Sequence, residues 1–319
     1  MFKNWFKLEI SMVLLAALTS TLQSCKEVAK NNDSNIALNT EKPNNTKIKP
    51  KKQLSEEFKK YWYAGNAEIT SYKIEQARYG QLREGNSVLI YVTEPFLNDK
   101  QVKADGANPD NIPVLKLNHT KNYLTGIYPY SIMSSSFYPV HDNQHAIKVS
   151  FSSQEWCGQV YAQLNNKDKF KVQSRSYFES EADQNLELEK TVLENELWNK
   201  IRINPSDLPI GELKIIPSME YIRLSHKELK AYTATATSTT ENGINIYSIT
   251  YPELDRTLEI KYASEFPYAI EGWSETSKSG YGANAKTLTS KATKIKTMNT
   301  PYWTQNSNSD VYLRDSLGL

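Results

Sequence analysis

Residues 232–251 read YTATATSTTENGINIYSITY, and this stretch decides the fold. Asn242-Gly243 separates two runs of strand formers, Tyr232–Thr239 and Ile244–Tyr251. Asn-Gly tolerates the positive φ angles of a type I′ turn, whose twist matches that of paired strands, so the stretch predicts an antiparallel hairpin. Working outward, Leu258, Ile260 and Tyr262 continue the alternation, followed by strand-like segments at 268–273 and 287–297. Upstream, Ile147, Val149 and Phe151 alternate with polar residues. So do Val160, Ala162 and Leu164, with Asn165-Asn166 as a turn before Phe170 and Val172. Residues 69–79 and 88–93 read as a further hairpin around Glu84-Gly85-Asn86-Ser87. Sequential hairpins with almost no crossover helix mean an antiparallel sheet.

Two helices interrupt this pattern. Ser55 can cap one reaching Ala64, with Glu56 and Glu57 at its positive end, Lys59 and Lys60 at the other, and Gly65 as the stop. A longer one is expected over 183–203: Ser180-Glu181-Ala182-Asp183 resembles a capping box, and Leu186, Leu193, Leu197 and Ile201 form an apolar stripe ahead of Pro205. The fold expected is mainly β (α+β), a curved antiparallel sheet or partial barrel of hairpins with one long packed helix, in a single domain over 55–319. A sheet bent over a helix leaves a concavity that either holds an apolar ligand or is filled as core.

The amino terminus carries an address. Lys3 and Lys7, the apolar run including Met12–Leu18, and Leu22-Gln23-Ser24-Cys25 read as a lipoprotein signal over 1–24, with diacylglycerol on Cys25. The apolar run is too short to span a bilayer, which takes about 20 residues. Residues 25–54 are rich in Asn, Lys and Pro and nearly free of large apolar side chains, as expected of a disordered tether. Such a tether has a reach of roughly 30 Å. The expected location is the cell envelope, on the outer membrane, attached through Cys25. Of the net charge of +2, the signal carries +1, residues 26–60 carry +4 and residues 61–319 carry −3. A slightly acidic body argues against nucleic acid as a partner. The expected partners are an apolar ligand or an envelope protein.

The segments Tyr61–Glu68, Leu89–Phe96, Ser153–Gly158 and Arg314–Leu319 resemble those of a family of Bacteroidota lipoproteins commonly labelled "septum formation inhibitor Maf", over most of the chain from Phe58 to Leu319. The resemblance implies a lipidated envelope protein and brings no established biochemistry. Maf nucleotide pyrophosphatases themselves carry a Ser-x-Ser-x-Arg-Arg type segment after the first strand. The nearest match here, Ser174-Arg175-Ser176, stands mid-chain in a predicted strand and lacks the arginine pair. With no phosphate-cradling glycine loop either, that activity is not expected.

Three constellations bear on chemistry. Cys157 with His141, Asp142 and His145 upstream is the weak catalytic candidate, since an imidazole beside a thiol makes a nucleophile. Against it, Cys157 keeps the parity of Ile147, Val149 and Phe151, which predicts an inward, inert side chain, with Gly158 as a bulge. His141 and His145 have helical metal-ligand spacing, but Pro139 and Asp142-Asn143 predict a loop, so no metal or cofactor is expected. Glu253 and Asp255 beside Arg256 could be paired carboxylates or surface charge. Tyr123, Tyr128, Tyr130, Phe137 and Tyr138 crowd a segment with Gly126, Pro129 and Ser134-Ser135-Ser136, read as an irregular aromatic rim that binds a ligand or partner, or as ordinary packing. The function expected is a lipid-anchored, non-catalytic binding module. The alternatives are a Cys157-dependent hydrolase and a structural part of an envelope complex.

Overall fold

Asn242 and Gly243 take φ angles of 52° and 76°, the positive values a type I′ turn requires, and the hairpin they close belongs to a 16-stranded sheet. The computed structural model describes residues 51–141 and 144–319, so the signal, Cys25, most of the tether and Asp142 lie outside the described residues. The strands are β1 (Ala67–Arg78), β2 (Gln81–Leu97), β3 (Val102–Lys103), β4 (Asn111–Thr125), β5 (Tyr128–Pro139), β6 (Lys148–Glu155), β7 (Gly158–Asn166) and β8 (Phe170–Ser176). They continue as β9 (Gln184–Leu188), β10 (Val192–Leu193), β11 (Gly211–Ile216), β12 (Tyr232–Glu241), β13 (Ile244–Tyr251), β14 (Arg256–Ala263), β15 (Ile270–Ser279) and β16 (Lys286–Thr300). Four helices accompany them: α1 (Glu56–Trp62), α2 (Glu194–Ile203), α3 (Met219–Leu224) and α4 (Tyr312–Ser316).

Two meanders make the sheet. One runs from β1 to β9, with β3 as a side branch on β2; the other runs from β11 to β16. Antiparallel pairing of β1 with β16 joins them, and short β10 adds in parallel to β11. β9 and β10 end the strand order unpaired with each other, so the sheet curls without closing. Its faces follow the period of two. On β12, Tyr232, Ala234 and Ala236 are buried while Thr235 and Thr237 are exposed. On β14, Arg256, Leu258, Ile260 and Tyr262 are buried and Thr257, Glu259 and Lys261 point the other way. The convex face of this half is thus polar, the reverse of the apolar outer band of a membrane-spanning barrel. The carboxyl terminus covers part of the convex face elsewhere: Leu317 packs with Ala67, Ile69, Val88 and Val92, and Ser71 Oγ donates to the Leu317 carbonyl.

The concave face is filled. Phe58 and Trp62 of α1, Leu197, Trp198 and Ile201 of α2, and Met219, Tyr221 and Ile222 of α3 share one core cluster with strand side chains from both meanders. Each fully buried large apolar side chain contributes about 1.5–3 kcal/mol. Helix α1 starts as the sequence predicts, with Ser55 Oγ accepting from Phe58 N–H at 3.1 Å and Gly65 at φ 77° after its end.

The structure corrects three expectations. The helix over 183–203 is only α2, because Leu186 and Leu188 pair across β8 with Val172 and Phe170 as strand residues. Leu186 and Leu188 stand two apart, which fits a strand as well as the stripe fits a helix, and pairing to β8 decides it. The hairpin turn expected at 84–87 sits at Tyr79-Gly80, with φ of 54° and 73°. Gly85 lies within β2, where a Cβ would stand 2.2 Å from the Asn122 carbonyl oxygen, so the glycine permits close strand approach. Finally, the segment read as an irregular aromatic rim is the regular β4–β5 hairpin, in register from Val114–Pro139 to Thr125–Tyr128.

Candidate functional site

Helix α2 has polar residues at most of its positions and is nevertheless buried almost all round. Burying charge is costly unless each group is paired and hydrogen-bonded, and here each buried polar side chain has its partner. At the amino end, Glu194 receives both Arg256 amino groups at 2.5 and 2.8 Å and the Tyr251 hydroxyl at 2.7 Å. Burial raises the Glu194 carboxyl, but the charge and hydrogen bonds of Arg256 outweigh it and hold it below the usual range. At the carboxyl end, Arg202 forks onto Glu68 of β1 with two bonds of 2.6 Å. Glu68 is likewise raised by burial and lowered further by Arg202, with a net downward shift. The Tyr61 hydroxyl also donates to Glu68, and burial first, then Glu68, push that phenol up to about 12. Between the two ends, Asn199 donates to the Leu115 carbonyl at 2.8 Å and accepts from Ser136 Oγ. Glu196 accepts from Ala146 N–H at 2.7 Å and faces His145 Nδ1 at 3.0 Å.

Beside α2 lies a small polar chamber. About 30 Å³ is enclosed among His119, Lys121, Ser134, Glu220, Trp273 and Glu275 together with the α2 residues Glu194 and Trp198. That suits one or two waters, and Ser134 Oγ is buried there without a protein partner. His119 stands between Trp198 and Trp273, at ring distances of 5.4 and 5.0 Å, with Nε2 3.1 Å from Ser87 Oγ. Burial, and secondarily the charge of Lys121, holds its pKa well below the ordinary histidine value, so the ring is neutral at pH 7. Nothing in the sequence pattern singled out His119. Its signal was a histidine at the inward parity of Leu117 and Tyr123.

The molecule has a second unusual region, one rim of the sheet. Antiparallel order puts the β1–β2, β4–β5, β6–β7 and β15–β16 turns at the same end. The chain enters at the other end, where Lys52 N–H donates to the His141 carbonyl at 3.0 Å and the Lys52 side chain pairs with Asp207. On the turn rim Ile127 is 80% exposed, Tyr177 70%, Trp156 68% and Leu124 60%. They belong together: β5 pairs with β6 from Phe137–Lys148 to Ser131–Gln154, which sets the 126–127 and 156–157 tips side by side. The Tyr177 ring lies over Gly158, where a Cβ would come within 2.7 Å of it.

Tyr123 and Tyr130 are buried, stacked at 5.1 Å and 7°, and Tyr138 is also buried, whereas Tyr128 and Phe137 are half-buried. The exposed rim exists nearby, but Ile127, Trp156 and Tyr177 form it, together with Leu124. Cys157 is not inward. It sits exposed in the β6–β7 turn, its N–H bonded to Glu155 at 2.7 Å, and the hydrogen bond and charge of Glu155 raise its thiol pKa. His141 and His145 precede β6 and Cys157 follows it, so an eight-residue strand, about 25 Å, separates them. The hydrolase constellation is therefore not assembled. Arg256 points inward to Glu194, Glu253 faces Lys230 at 3.4 Å, and Asp255 occupies a left-handed turn position, so this trio is not a carboxylate pair. No group of histidine, cysteine or acidic residues among the described residues is arranged to hold a metal.

No family model matches this chain, and no curated protein matches it. Among solved structures, a porin-like protein from Bacteroides uniformis aligns over 72% of this chain and 95% of its own, at 8% identity and a TM-score of 0.20. A likeness at that score carries no inference about this chain.

Proposed function

We propose that this chain is a non-catalytic binding module held at the cell envelope by lipid on Cys25, and that it engages an envelope protein through the rim formed by Leu124, Ile127, Trp156 and Tyr177. One observation carries this reading: four large apolar side chains, the most exposed at 80%, stand out from neighbouring turns of one rim, at the end away from the chain's entry. Exposed aromatic and aliphatic anchors of this kind are what protein interfaces bury. A bilayer is the poorer fit, because Glu155 and Glu179 stand among these residues where an anionic lipid surface would call for lysine and arginine. The carrier reading loses support, since the concavity that would hold an acyl chain contains α1, α2 and α3.

The test compares the full chain with its Ile127→Ser/Trp156→Ser variant in cells, both carrying a photo-crosslinker at Tyr177. A crosslinked envelope protein present with the wild type and lost from the folded variant supports the reading. A crosslinked product unchanged by the substitutions, or no crosslinked protein with either form, overturns it. A Cys25→Ser chain is expected to leave the membrane fraction, and one that stays there would refute the lipid anchor.

A further inference from the structure

Four arginines are buried among the described residues: Arg78, Arg202, Arg223 and Arg256. Three of them face a carboxylate: Arg202 faces Glu68, Arg223 faces Glu181 and Arg256 faces Glu194. Arg78, 7% exposed, has none among the described residues. Its amino groups donate to the Leu224 carbonyl at 2.6 Å and to the Tyr79 and Tyr130 hydroxyls at 3.2 and 3.0 Å. Tyrosine rings lie at 4.2 and 5.2 Å from the guanidinium carbon, and Nε has no partner. A buried cation whose hydrogen-bond partners are all neutral is an electrostatic vacancy for negative charge, and the planar fork of arginine suits carboxylate and phosphate.

Arg78 lines a cavity of about 80 Å³ between the β1–β2 and β15–β16 turns and the end of α3. Tyr79, Ser277, Lys278, Ser279 and Tyr281 also line it, and Tyr281 is 59% exposed at the turn. The carboxylates that face the cavity, Glu220 and Glu275, are already engaged, by Lys121 at 2.7 Å and by Arg256 Nε at 2.9 Å. The volume suits a single carboxylate or phosphate group with a few waters.

We infer that this cavity is an anion site, and that its ligand presents a carboxylate or phosphate group to Arg78. The inference is independent of the protein-binding rim. Its test is calorimetric titration of the full chain with inorganic phosphate and, separately, with acetate, at ionic strength matched with sodium chloride. Saturable binding of at least one anion is expected, weakened at least about tenfold by Arg78→Gln and less by Arg78→Lys. Phosphate alone, or acetate alone, binding to the wild type identifies which group the ligand carries. If Arg78→Gln fails to fold, Ser277→Phe fills the cavity from a strand position and is expected to abolish binding. No saturable heat with either anion to about 50 mM, or equal affinity in a folded Arg78→Gln or Ser277→Phe variant, overturns the inference.

Discussion

Helix α2 and the β4–β5 and β6–β7 tips invert the usual distribution of side chains. The helix sits in the interior and carries Glu194, Glu196, Asn199 and Arg202, all buried. The tips are at the surface and carry Leu124, Ile127 and Trp156, all exposed. Buried charge is tolerated where fixed partners exist on both walls, whereas exposed apolar surface persists where something outside the chain covers it. The difference separates a region whose residues serve the fold from one whose residues, on the proposed reading, serve a partner. Substitutions in the first should therefore change stability, and substitutions in the second should change binding.

The largest effect is expected at the carboxyl end of α2. Arg202→Met strands a buried Glu68 and should cost about 3–5 kcal/mol in urea unfolding, because one charge of a dry pair is left uncompensated. Glu68→Leu combined with Arg202→Met removes both charges and should be distinctly less destabilising than the single change. Equal losses for single and double variants would show that the pair acts by shape and not by charge.

Acid should reach the same region in two stages. Glu68 and Glu194 have folded-state pKa values below the ordinary ones, so their stabilisation is present above the unfolded value of about 4.3 and is lost as pH falls through the folded values. His119 also has its folded-state pKa depressed, so the unfolded chain takes up the proton first. Stability should thus begin to fall below about pH 6.5, before the carboxylates titrate. Denaturation midpoints measured from pH 8 to 3 should show both stages, and His119→Gln should flatten the upper one. A profile level from pH 7 to 5 in the wild type would contradict the neutral His119.

Much of the sheet was legible in the sequence because its signals are local. Asn242-Gly243 fixes one turn, and the alternation of Leu258, Ile260 and Tyr262 fixes a face. Ser55 fixes the start of α1. The functional regions were less legible for opposite reasons. Glu194, Glu196 and Arg202 look like a solvated helix face, because their partners Arg256, Ala146 and Glu68 lie far away in sequence and come together only through the sheet. Tyr123 and Tyr130 look like a binding rim, although parity within β4 and β5 turns them inward. The residues that do form the rim, Ile127 and Trp156, flank no motif and stand out only when the turns are placed at one end. Gly85 reads as a turn because strand glycines needed for close approach and turn glycines are alike in sequence.

On the rim, stability and size should decouple. Ile127→Ser and Trp156→Ser remove large apolar side chains, which in the interior would cost several kcal/mol. Here each should shift unfolding by less than about 0.5 kcal/mol, as surface substitutions do. A loss above about 2 kcal/mol in either would move the residue from the partner-facing class to the folding class and weaken the proposed interface.

The smallest effect is expected at Cys157, which sharpens the comparison most finely because the sequence and the structure place it in opposite regions. Inward parity would make its thiol unreactive until the domain unfolds, and Cys157→Ser would then disturb a core. The structure puts it at the tip beside Trp156, fully accessible, with Glu155 disfavouring the thiolate. Cys157→Ser should therefore leave the unfolding midpoint unchanged. A small disulfide reagent should modify the native thiol at once in the absence of denaturant. The rate should be below that of an unperturbed thiol at the same pH, and Glu155→Gln should raise it, because thiol exchange proceeds through the thiolate. A native thiol that reacts only after unfolding would return Cys157 to the interior and shift the register of β6 and β7, and with it the assignment of Trp156 to the rim.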